Sequence, residues 1–110
     1  MSDPKQKLGA AKAPLHLIPP VFSREVAHAL STGARKYGAW NWRDPSNRYL
    51  ASTYVSAMKR HIDAWYDGED RDKESFLPHL AHVAASVAIL MDAEAHGTFK
   101  DDRPVGSKPC

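Results

Sequence analysis

Between Arg60 and His82 the chain reads Arg-His-Ile-Asp-Ala-Trp-Tyr-Asp-Gly-Glu-Asp-Arg-Asp-Lys-Glu-Ser-Phe-Leu-Pro-His-Leu-Ala-His. Three histidines and six carboxylates fall in this stretch, which joins two segments that otherwise resemble core helices. Ionisable groups gathered at helix ends are costly to bury unless they bind something, so the segment is the first candidate site. His79 and His82 are three residues apart and project from one side of a helix near its start. That end carries unpaired backbone N–H groups and the positive pole of the helix dipole, a setting that suits an anion such as phosphate. Neutral histidines there can also ligate a metal, and His61 stands on the preceding helix. Glu69, Asp70, Asp72 and Glu74 fill the connecting loop. Their oxygens could hold magnesium together with waters and substrate phosphates, although the spacing does not match an EF-hand. The plainer reading is one core histidine, one exposed histidine and a solvated acidic turn, with Glu74 and Ser75 capping the next helix.

A second chemical cluster reads Gly33-Ala-Arg35-Lys36-Tyr37-Gly38-Ala-Trp40-Asn41-Trp42-Arg43. Cations, aromatics and an amide are what a base-stacking, phosphate-clamping pocket requires. Asn41 can read a purine edge, while Arg35, Lys36 and Arg43 can neutralise phosphates. Neither a Walker loop nor a dinucleotide fingerprint is present. The plainer reading makes Trp40 and Trp42 core anchors.

The elements that must position these groups are helical. Ser23 is a candidate N-cap for a helix from about Arg24 to Lys36, with Val26, Ala27, Leu30 and Ala34 as its apolar stripe and Gly38 beyond its end. A second helix is expected from Arg48 or Ser52 to Tyr66, placing Leu50, Tyr54, Met58, His61 and Trp65 near one side. A third is expected over 74–96, where Leu80, Val83, Ala84, Val87, Leu90 and Met91 recur at helical spacing and Gly97 ends the run. Leu15–Pro20 reads as an extended segment lying across this body. The resulting expectation is an all-α fold of about three main helices in one domain over 15–97. Residues 1–14 form a mobile N-terminal arm and 98–110 a flexible C-terminal tail.

A chain of 110 residues supports one modest core. Its net charge of +2 gives no argument for polymeric nucleic acid as a partner. No apolar run reaches membrane-spanning length, and no signal-peptide core opens the chain. The single cysteine, Cys110, excludes an intrachain disulfide and fits a reducing cytoplasm. Alanines 84, 85, 88 and 93 offer close-packing faces, so a homo-oligomer is expected.

Taken in order, Lys12-x-Pro-Leu-His-Leu-Ile-Pro-Pro, Gly33-Ala-Arg-Lys-Tyr-Gly-x-x-Asn-Trp-Arg43, Arg60-His61, Trp65, Gly68-Glu-Asp-x-Asp72, Glu74-Ser75 and His79-Leu-Ala-His82 resemble the phage dATP/dGTP diphosphohydrolase (MazZ-type) family. That family is grouped with the all-α MazG-like nucleotide pyrophosphohydrolases. The resemblance runs from Lys12 to Glu94. It implies hydrolysis of a purine deoxynucleoside triphosphate to the monophosphate with a divalent ion, usually magnesium, by an oligomer in the host cytoplasm. On this reading His61, Glu69, Glu74 and His79 are catalytic, and Glu69, Asp70, Asp72 and Glu74 bind metal. Arg35, Lys36, Tyr37, Trp40, Asn41, Trp42, Arg43, Arg60 and His82 hold the nucleotide. Where MazG-like enzymes carry carboxylate clusters on two helices, this chain has Arg60-His61 and His79-x-x-His82. An alternative function is therefore a non-catalytic binder that sequesters a nucleotide signal; a third is a helical interaction module with structural histidines.

Overall fold

The computed structural model describes residues 12–46 and 50–104. Three helices dominate: α1 (Pro20–Tyr37), α2 (Ala51–Tyr66) and α3 (His79–His96). Single 3-10 turns occupy Leu15–Leu17 and Asn41–Arg43. The fold is all-α, as the helical spacing predicts. Arg48, most of the N-terminal arm and the end of the tail lie outside the described residues.

Helix starts differ from expectation, and proline explains two of them. α1 begins at Pro20 with Pro19 as its N-cap, because proline presets the helical φ and has no N–H to leave unpaired. Ser23 is already inside its first turn. α3 starts at His79 after Pro78 rather than at Glu74. The five residues before it are engaged in a folded-back loop, so Glu74 and Ser75 do not cap that helix. Leu15–Leu17 forms a turn rather than an extended run, and Leu15 and Leu17 are exposed rather than packed across the body.

α3 is the spine. It packs against both α1 and α2, which make their main contacts with α3 rather than with each other. Small residues permit this approach: Ala81 and Ala85 of α3 meet Val26 and Ala29 of α1, with Leu30 and Leu77 alongside. Gly97 in the left-handed conformation (φ 64°) closes α3, a backbone state that glycine adopts without steric cost. Residues 98–104, assigned to the tail by composition, are tied to α2. Ala51 N–H bonds the Lys100 carbonyl at 3.1 Å, and Asp102 caps the helix through Ser52 N–H at 2.9 Å and through the Ser52 hydroxyl. No helix among the described residues is long and apolar enough to cross a membrane.

Candidate functional site

Because α1 and α2 stand apart on α3, a cleft of about 970 Å³ opens between them. Its imidazole end is built by the loop between α2 and α3. There Asp72 N–H bonds the Leu77 carbonyl and Phe76 N–H the Asp72 carbonyl, both at 2.8 Å. The Asp72 carboxylate also accepts Ser75 N–H at 2.8 Å. The loop thereby returns the chain to His79, whose own N–H bonds the Asp70 carbonyl at 3.0 Å.

The side chain of His79 is 5% exposed, and both of its ring nitrogens are engaged. Nε2 lies 2.8 Å from Glu69 Oε2, and Nδ1 lies 2.8 Å from Nδ1 of His61. An ionised carboxylate only accepts, so Glu69 places the proton of a neutral His79 on Nε2 and leaves a lone pair on Nδ1. His61 stacks on His82 with centroids 4.6 Å apart and planes 13° apart. The Nε2 of His82 is 2.7 Å from the Ser75 hydroxyl.

Electrostatics keep two of these rings neutral near pH 7. Burial pushes the pKa of His61 down, and charge on His82 and His79 would push it further. Burial also lowers that of His82, against the upward pull of Asp72. For Asp72 burial acts upward, but hydrogen bonds from Ser75 and the neighbouring imidazoles prevail, so its carboxyl titrates low. One ligand atom from each of His61, Asp72 and His79 lies within 4.8 Å of the others.

Cations stand on both sides of the cleft. Arg35 and Lys36 from α1 and Arg60 from α2 line it, with Tyr37, Asn41 and Trp42. Lys36 Nζ lies 3.6 Å from Glu74 Oε1. Away from the imidazoles, Trp42 Nε1–H donates to Asp92 Oδ2 at 2.8 Å. Arg43 grips the same carboxylate through Nε at 2.7 Å and Nη2 at 2.9 Å, and its guanidinium lies 4.2 Å over the Trp40 ring. The Arg43 bonds, followed by the Trp42 bond, hold the Asp92 carboxyl far below the usual carboxylate range.

The family described as dATP/dGTP diphosphohydrolase, N-terminal, matches residues 2–103. The chain belongs to this family. It is similar to a protein of Salmonella phage PMBT28 named dATP/dGTP diphosphohydrolase, at 36% identity over 97 residues. The match covers 88% of this chain and 32% of that protein, so the chain spans about a third of the length of the relative. No solved structure matches.

With the family known, the expected residues can be placed. The cleft lining brings together His61, His79, His82, Asp72 and Glu74 with Arg35, Lys36, Arg60, Tyr37, Asn41 and Trp42. Trp40 and Arg43 are not part of its lining; Arg43 pairs with Asp92 instead of facing the cleft. Glu69 and Asp70 also stand behind the lining: Glu69 orients His79, and Asp70 contributes its backbone carbonyl. The four loop carboxylates therefore do not converge. Magnesium prefers an octahedral shell of oxygens, and a donor set of two imidazoles and one carboxylate does not fit it. Two residues escaped the sequence reading. Ser75 serves His82 rather than a helix cap. Asp92, near the end of α3, meets partners about fifty residues away.

Proposed function

We propose that the chain is the nucleotide-handling unit of a purine deoxynucleoside triphosphate diphosphohydrolase acting in the cytoplasm. The observation that carries this reading is the cleft itself, lined by three cations and three imidazoles, in a chain of this family. Arg35, Lys36 and Arg60 neutralise the triphosphate. Tyr37 and Trp42 offer faces for the base, and Asn41 a purine-reading amide. Water attacks the α-phosphorus, the bond from that phosphorus to the bridging oxygen breaks, and pyrophosphate leaves. A neutral imidazole accepts the water's proton; we assign this role to His82, whose ring contacts the Ser75 hydroxyl. Glu69 and His79 act from behind as positioning groups. Val55, Ile62, Val87 and Met91 are exposed by 38%, 39%, 42% and 67%; with so small an alanine-rich core, we read them as a face that packs against another copy.

The test is incubation of the full chain with dATP, dGTP and the pyrimidine deoxynucleotides, with divalent ions supplied in turn, measuring pyrophosphate and monophosphate. Purine substrates should release both products, and Lys36→Ala or Arg60→Ala should raise KM about tenfold, ~1.4 kcal/mol. A folded sample that binds nucleotide and returns it unchanged would overturn hydrolysis and identify a binder.

A further inference from the structure

We infer that His61, His79 and Asp72 form a binding site for one divalent first-row transition ion, held by two imidazole nitrogens and a carboxylate oxygen. The two Nδ1 atoms already face each other at 2.8 Å. An ion about 2.1 Å from each nitrogen would see them at an angle of roughly 85°, close to a cis pair in an octahedral shell. Asp72 completes one face of that shell, its ligand atom within 4.8 Å of both histidines, and Ser75 N–H fixes its carboxylate.

A second observation points to the same ligand. Glu69 accepts from Nε2 of a side chain that is 5% exposed, which turns the Nδ1 lone pair of His79 towards His61. A carboxylate behind a histidine is the usual outer support of a metal-binding imidazole, fixing its tautomer and raising its basicity. In the metal-free chain one proton between the two nitrogens supplies the contact. The ion would take that place, and the proton on His61 Nδ1 would move to Nε2 or to solvent. Imidazole donors favour zinc, copper, iron or nickel over magnesium. Ligation leaves His82 free of the ion and stacked on His61. The open positions of the shell face the cleft, where a phosphate oxygen or water would complete them.

For its role this ion rests on the hydrolase reading; for its existence it does not, so the test is made without nucleotide. The full chain, stripped with chelator, is titrated with cobalt chloride while visible absorption and calorimetric heat are followed. One ion per chain is expected, displaced by zinc and not by equimolar magnesium. His61→Ala and Asp72→Asn should each weaken binding by roughly a hundredfold, and Glu69→Gln by about ten- to a hundredfold. Circular dichroism establishes that each variant is folded; His61 and Asp72 are only partly buried, so either alone carries the test. Absence of cobalt binding, equal binding by folded His61→Ala and Asp72→Asn, or displacement by equimolar magnesium would overturn the site. Cobalt binding without pyrophosphate release would leave the ion site standing and remove the hydrolase reading. Magnesium-supported turnover without cobalt binding would do the reverse.

Discussion

At one end of the cleft three imidazoles contact one another, backed by Glu69 and edged by Asp72. Outside the cleft lining a single carboxylate, Asp92, receives three hydrogen bonds from Trp42 and Arg43. The Asp92 network is closed, with each formal charge matched and the bonds short. The imidazole network is open: burial disfavours charge on His61 and His82, and two nitrogens share one contact. Closed networks hold architecture, whereas open ones are where a proton, an ion or a substrate can enter. On the proposed reading chemistry belongs to the imidazole end, while Asp92 holds Trp42 and Arg43.

The strongest way to break this contrast is His79→Ala. Removing a buried ring strands Glu69 and His61 and leaves a void, costing about 2–4 kcal/mol of stability. Urea unfolding should show that loss, and pyrophosphate release should fall to background. Asp92→Ala comes next and should separate the two ends. Its melting temperature should drop by a few degrees and its nucleotide KM should rise, while cobalt affinity stays at the wild-type value. Equal damage to cobalt binding would mean that the ends are not independent.

Acid sharpens the comparison further. The folded state lowers the pKa of His61 and His82 below the ordinary 6.5, so the unfolded chain takes up protons first as pH falls. The stability these rings allow is present above about pH 6.5 and declines as pH drops towards their folded values. Melting temperature recorded from pH 8 to pH 5 should show that decline, with a shallower slope in His82→Asn. The smallest effect is expected at Phe76, which is 71% exposed with φ of 63°. Glycine there relieves left-handed strain but loosens the unfolded chain, so Phe76→Gly should change stability by no more than about 1 kcal/mol.

Much of this architecture was legible because apolar spacing is local information. Leu30, Ala84 and Gly97 marked helical faces and an end that the structure contains. The density of histidines between 60 and 82 singles out a segment whose three imidazoles the structure brings together. Their division of labour was not legible. Whether Glu69 lines a cleft or stands behind His79 depends on how residues 70–78 fold back, and those loop bonds have no periodic signature. Asp92 was illegible for a related reason: nothing near it in sequence announces Trp42 or Arg43. Sequence alone offers Arg43 as a phosphate ligand, whereas the fold pairs it with Asp92.

His79 is also the first residue of α3, and its backbone N–H closes the loop on Asp70 while its ring meets Glu69 and His61. Solvent exchange at that amide therefore reports on the same residue whose ring would hold an ion. Occupancy should slow deuterium uptake at position 79 and through the 70–78 loop, giving a readout of loading that requires neither turnover nor colour.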